Sequence, residues 1–211
     1  MTRPLQSLIL LIVLMTTPSS SAWSKTLTIL AFGDSLTAGY GLPSNEAFPV
    51  KLETALKARG HDVTVINAGV SGDTTSGGRD RLAWSLTDDV GAVIVELGAN
   101  DALRGIDPKQ TKAALDAILG EIGKRKLPVL LAGMLAPRNL GPDYGKVFEA
   151  IFPALAEAHG ALLYPFFLDG AASDPALNQA DGMHPNAKGV DLIVERILPK
   201  VEELVAQAAS K

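Results

Sequence analysis

The sequence predicts an α/β fold built on five parallel strands. Two textures alternate along the chain: short, nearly continuous apolar and β-branched runs, and longer segments of helical period. Continuous rather than alternating hydrophobicity marks strands buried on both faces. Strand–helix alternation repeated five times implies right-handed crossovers, with helices covering both faces of one sheet in three layers. At 211 residues, 47% hydrophobic and 20% charged, the chain is long enough for a single domain with a substantial core and too apolar for disorder.

The first 22 residues read as separate from that domain. Arg3 is the only charge before Lys25, residues 8–15 are unbroken apolar, and Pro18, three serines and Ala22 follow. This is the order of a secretory signal, and eight residues are too few for a bilayer core, which takes about 20. The expectation is a signal peptide at 1–22 and one exported domain at 23–211, with no membrane span after processing.

Strands are expected at 27–32, 63–67, 92–97, 129–134 and 161–164. A helix at 47–58 ends at Arg59-Gly60, with glycine able to take the left-handed position after the last turn. Residues 77–86 form a weaker helical segment. Asp107-Pro108 opens a helix to about 125, Asp as cap and Pro in the first turn. Residues 143–159 read as one helix stopped by Gly160, with Pro153 a possible kink. The last helix runs from about 186 toward 208 past Pro199. The irregular stretch 165–185 is long for a compact domain and points to function. An open parallel sheet puts its site beyond the carboxyl ends of its strands, so residues with chemistry should follow strands.

Strand one runs into Gly33-Asp34-Ser35-Leu36, a turn that can present a hydroxyl at the sheet edge. A serine hydroxyl is a weak nucleophile and needs a base. Of three histidines, His61 falls at the start of strand two, the wrong end, and His159 falls in the last turn of a helix, where the dipole accounts for it. His184 closes the long loop, three residues after Asp181, so one local turn can bring a carboxylate to Nδ1 and leave Nε2 to take a proton. Acyl transfer also needs donors for the developing oxyanion. Gly69 follows strand two, where the lack of a side chain lets a backbone N–H approach substrate, and Asn100 follows strand three with a neutral amide. Asp34 and Asp101 are better suited to bonding turn amides.

These blocks together, Gly33-Asp34-Ser35-Leu36, Gly69, Gly98-Ala99-Asn100-Asp101 and Asp181-Gly182-Met183-His184, resemble those of the SGNH (GDSL) hydrolases, in the right order across the whole mature chain. Asn67-Ala68-Gly69-Val70-Ser71-Gly72-Asp73 and Tyr164-Pro165-Phe166-Phe167 are similar to the periplasmic acyl-CoA thioesterase, lysophospholipase and arylesterase subgroup. The resemblance implies a flavodoxin-like sandwich and cofactor-independent hydrolysis of esters and thioesters. Ser35 would be nucleophile, His184 base and then acid, and Asp181 its orienting group. The N–H groups of Ser35 and Gly69 and the Asn100 amide would hold the oxyanion. Leu36, Leu103, Leu135, Pro137 and Leu140, with Phe166, Phe167 and Leu177, fall on the same side of the sheet and suggest an acyl groove.

Composition narrows the alternatives. A net charge of −4 offers no basic stripe for nucleic acid. The absence of cysteine excludes disulfides, thiolate metal sites and a Cys nucleophile. No metal site is expected, because no His-x-His or His-Glu-x-x-His occurs and Asp181 with His184 makes too few ligands. A carbohydrate O-deacetylase is the main enzymatic rival, although neither Trp23 nor Trp84 falls in an expected site loop. A non-catalytic binding module is the rival of another class, and it would be expected to lack the serine or the histidine.

Overall fold

A computed structural model of the protein describes residues 26–210; the expected signal peptide at 1–22 lies outside them. The element order is β1 (Leu27–Gly33), α1 (Ser35–Ala38), α2 (Phe48–Ala58), β2 (Val63–Gly69), α3 (Thr75–Ser85), β3 (Val90–Glu96), α4 (Ala99–Leu103), α5 (Pro108–Lys124), β4 (Val129–Ala132), α6 (Pro142–Glu149), α7 (Ile151–His159), β5 (Leu162–Tyr164) and α8 (Ala187–Ala209), with short 3-10 turns at Ser44–Glu46 and Arg138–Leu140. The strands form one parallel sheet in the order β2-β1-β3-β4-β5. Helices α2 and α8 pack together, as do α3, α5 and α7, giving two helical layers about the sheet. The three-layer, flavodoxin-like expectation is met.

The central strands are apolar because both faces are covered. In β3 and β4 nearly every residue is buried, whereas the edge strands β2 and β5 are part-exposed. The core runs through Phe32 and Ile94 in the sheet to Phe48, Leu115 and Phe152 on the helices, all at most 1% exposed. No helix among the described residues is long and apolar enough to cross a membrane.

Two local differences from the sequence reading have physical causes. The expected helix 143–159 is two helices, α6 and α7, joined at Ala150. Pro153 has no N–H to give the carbonyl of Glu149, the last residue of α6, so the hydrogen-bond ladder breaks there. The expected strand 129–134 stops at Ala132, because the Gly133 carbonyl turns to accept from Phe167 (2.9 Å). Pro199, by contrast, lies inside a continuous α8.

Candidate active site

The order of the sheet decides where a site can form. The chain winds from β1 outward to β2, then returns to place β3 on the other side of β1, and the crevice between β1 and β3 opens beyond their carboxyl ends. β1 leads directly into Asp34, which caps α1: its Oδ1 accepts from the Leu36 N–H (3.0 Å), and Ser35 becomes the first residue of that short helix. The Ser35 N–H has no acceptor among the described residues. β3 ends at Glu96, and Gly98 (φ 120°) turns the chain into α4 with Asn100 in its first turn. The Asn100 Nδ2 donates to Asp34 Oδ2 (3.1 Å), so one amide proton is held and the other is left for a ligand.

The histidine reaches this edge from the far end of the chain. Residues 177–186 fold back on themselves through Gln179 N–H to His184 O (2.8 Å) and Asn186 N–H to Leu177 O (2.9 Å). The Asn186 side chain then caps α8 by accepting from Lys188 and Gly189 N–H. Within the fold-back, Asp181 Oδ1 accepts from the Met183 and His184 amides (2.9 and 3.0 Å), a turn that Gly182 completes at φ 68°. Its Oδ2 lies 2.6 Å from His184 Nδ1, and His184 Nε2 lies 3.0 Å from Ser35 Oγ. With the ring proton on Nδ1 and donated to Asp181, Nε2 accepts from the serine hydroxyl. The His184 and Met183 amides and the imidazole hold the Asp181 carboxyl down at about 2, so it is ionised at neutral pH. His61 and His159 are occupied elsewhere, on Glu202 (3.2 Å) and Asp116 (2.6 Å).

The third expected oxyanion donor is differently employed. The Gly69 N–H donates to Asn67 Oδ1 (3.0 Å), and a Cβ on Gly69 would clash with the backbone of Ala38 and Asp34. Gly69 is therefore glycine because α1 packs on it. Further along the same loop Gly72 (φ 84°) has an N–H without an acceptor among the described residues, and its carbonyl accepts from Arg104 Nη2 (2.8 Å), just beyond Asn100.

Beside Ser35 and His184 lies a groove of about 570 Å³, mainly apolar. Leu36, Leu103, Leu135 and Pro137 line it as expected, together with Phe166 and with Met134, Leu168 and Met183, which the sequence reading did not single out. Leu103, Leu135 and Met183 are about half exposed on its rim, as an apolar ligand site requires and core closure does not. Leu140 and Leu177 do not line the groove: Leu140 closes a 3-10 turn and Leu177 packs on the core. Phe167 is 1% exposed and meets Phe48 edge-on within the core. Trp84 stands 88% exposed on α3, away from the groove.

Three supporting residues gave no signal in the sequence. Arg81, from α3, donates to the carbonyls of Gly33 (2.8 Å) and Ala68 (2.9 Å), pairs with Asp73 (2.5 Å) and lies 4.1 Å over the Phe32 ring. It binds the ends of β1 and β2 together. Tyr40 packs its ring 4.5 Å from the His184 ring. Glu96 is wholly buried beneath Asp34. Asp101, as expected, is structural: it accepts from Thr75 N and Oγ1 and from Thr111 Oγ1. Among the described residues no group of three or more His, Asp or Glu side chains is arranged to hold a metal ion.

Comparison with known proteins adds an independent line. Residues 31–192 match the family model described as GDSL-like Lipase/Acylhydrolase family. The chain is 39% identical over 189 residues to an arylesterase of Vibrio mimicus, covering 88% of this chain and 92% of that protein. It is 36% identical over 179 residues to the thioesterase 1/protease 1/lysophospholipase L1 of Escherichia coli K12, covering 84% and 85%. Among solved structures, AlinE4, an SGNH-hydrolase family esterase, shares 48% identity with a TM-score of 0.73, covering 85% of this chain and 97% of that one.

Proposed function

Since this chain belongs to the GDSL-like lipase/acylhydrolase family and is a serine ester hydrolase, we propose that Ser35, His184 and Asp181 carry out its two-step acyl transfer on esters and thioesters of short to medium acyl chains. The observation that carries this reading is the continuous relay from Asp181 Oδ2 through the imidazole to Ser35 Oγ, at 2.6 and 3.0 Å, opening onto an apolar groove.

In the first step His184 Nε2 takes the Ser35 proton as Oγ attacks the substrate carbonyl. The tetrahedral oxyanion is held by the Ser35 N–H, the free proton of Asn100 Nδ2 and a third amide of the loop after β2. Gly72, with its unengaged N–H, suits that role better than Gly69. Each such donor contributes about 3 kcal/mol to lowering the barrier. The imidazolium, stabilised by ionised Asp181, gives its proton to the leaving alcohol, phenol or thiol. Water deprotonated by the same nitrogen then attacks the acyl-serine, and the acid departs. No step needs a cofactor. The acyl chain lies along Leu36, Leu103, Leu135 and Pro137, and each buried methylene adds about 0.8 kcal/mol of binding. Export of the domain follows from the secretory order of residues 1–22.

A fluorophosphonate probe and a nitrophenyl ester series from acetate to octanoate, with an acyl thioester alongside, test the proposal. The expected outcome is an adduct on Ser35 and turnover that rises with chain length before it falls, both lost in Ser35→Ala. Persistence of turnover in Ser35→Ala, or no turnover at any length, overturns it.

A further inference from the structure

Directly under the nucleophile turn lies a carboxyl group that the acyl-transfer chemistry does not use. Glu96, the last residue of β3, is 0% exposed. Its Oε2 accepts from the Asp34 N–H (3.3 Å) and from the Thr37 hydroxyl (2.7 Å), so it grips α1 at its cap and again at Thr37, on either side of Ser35. Its Oε1 is buried with no hydrogen-bond partner among the described residues. The grip is close: a Cβ on Gly33 would overlap both Oε2 and the Thr37 hydroxyl, which is why glycine precedes the Asp34-Ser35 turn. Asp34, held at its backbone by Glu96, is the residue whose Oδ2 orients the Asn100 amide.

We propose that Glu96 is a positioning residue of the hydrolytic site: acting from β3, it fixes the Asp34–Thr37 turn and thereby sets Ser35 against His184 and, through Asp34, Asn100 against the oxyanion. The inference rests on the assignment of Ser35 and Asn100 given above. An isolated carboxyl with one unpartnered oxygen is a costly choice for a core position where a leucine would pack. The geometry supplies the reason. The two donors converge on one oxygen, and no apolar side chain accepts from either. Burial, with the Asp34 charge beside it, pushes the Glu96 carboxyl well above the usual carboxylate range, so the group works as a neutral acid. Its carbonyl oxygen faces the turn, and its proton resides on the unpartnered oxygen. A glutamine reproduces that arrangement; a leucine leaves the Asp34 N–H and the Thr37 hydroxyl without an acceptor.

The test uses the full domain with nitrophenyl butyrate and the rate of Ser35 labelling by fluorophosphonate. Glu96→Leu is expected to lower kcat about 100-fold, the scale of a displacement near 1 Å at a reacting group, with KM within twofold and labelling slowed in parallel. Glu96→Gln is expected to stay within threefold of the parent in all three. If Glu96→Leu does not fold, Thr37→Val, which removes one of the two donors, decides: kcat falls several-fold with KM unchanged. Wild-type labelling by Glu96→Leu, a change confined to KM, Glu96→Gln as slow as Glu96→Leu while melting cooperatively, or wild-type kcat in Thr37→Val each overturns the inference. Its failure is distinct from that of the assignment beneath it, which fails if Ser35→Ala still labels or turns over, or if the parent turns over no ester at any chain length.

Discussion

Asp34 links stability to catalysis in a measurable way. Its side chain is fully buried, and burial raises its carboxyl to about 6 from an ordinary 3.8 despite bonds from the Leu36 N–H and the Asn100 amide. A carboxyl whose folded pKa is raised binds its proton more tightly in the native state than in the unfolded one. Its contribution is therefore most favourable below about pH 4 and is lost as pH rises toward 6, staying flat above. Raising this carboxyl from 3.8 to about 6 corresponds to about 3 kcal/mol, of which roughly 1.4 kcal/mol is lost between pH 5 and pH 8. Asp34→Asn removes that titration. Urea unfolding of parent and variant at pH 5 and pH 8 should show the parent losing about 1.4 kcal/mol more than the variant across the interval; any pH-independent cost of a lost hydrogen bond cancels in this difference. The easing of Glu96, which feels the Asp34 charge, acts in the same direction. Hydrolysis should move the other way. The amide introduced by Asp34→Asn, pointed at the Asn100 amide, sets donor against donor, and kcat should fall by up to about 100-fold, the loss of one oxyanion donor. Equal stability differences in the two proteins, within about 0.5 kcal/mol, would refute the reasoning.

Other outcomes follow from neighbouring contacts. Asp181→Asn should lower kcat at least about 100-fold by upsetting the imidazole tautomer, checked by steady-state kinetics with KM as control. Because the Asp181 carboxyl is held at about 2 by the His184 and Met183 amides, its support for the fold-back is full above about pH 4 and vanishes as pH falls toward 2; hydrogen exchange at those amides should follow that fall. Leu103→Asp and Leu135→Asp should raise KM about tenfold for octanoate and leave acetate within twofold, because both side chains stand half exposed on the groove's rim, where the proposed binding mode engages them with a long acyl chain and not with acetyl. Arg81→Met should lower both Tm and kcat, by about 2–3 kcal/mol of stability, since the carbonyls of Gly33 and Ala68 each lose a charged donor and Asp73 loses its partner; thermal melts and a nitrophenyl butyrate assay check it.

What was legible in the sequence follows from which forces are local. The strands could be read because burial on both faces writes itself as a continuous apolar run, as in β3 and β4. The Asp181–His184 turn could be read because three residues and a Gly182 suffice to close it. The pairing of Ser35 with His184, 149 residues apart, could not be derived from spacing. It rested on the order of four motif blocks. Gly69 looks like an amide donor in the sequence because glycine suits both a bare N–H and a tight contact, and only the position of Ala38 distinguishes the two. Leu140 and Leu135 look alike in sequence, yet the 3-10 turn at Arg138–Leu140 carries one away from the groove that the other lines. Arg81 and Glu96 could not be picked out because the groups they bind, the Gly33 and Ala68 carbonyls, the Asp34 N–H and the Thr37 hydroxyl, lie on elements distant in sequence, and no local spacing marks such a meeting.

The fold-back that bears His184 is moored to α8 through the Asn186 cap, and α8 lies against α2. The serine, by contrast, belongs to a turn drawn from β1 near the start of the domain. The serine hydroxyl and the imidazole that meets it therefore come from positions 149 residues apart, and the imidazole keeps its place through the last helix. A chain clipped before α8 keeps Ser35, Asp181 and His184 yet loses the helix that the Asn186 cap moors the fold-back to, so it is expected to lose hydrolysis of nitrophenyl butyrate with all three side chains still present.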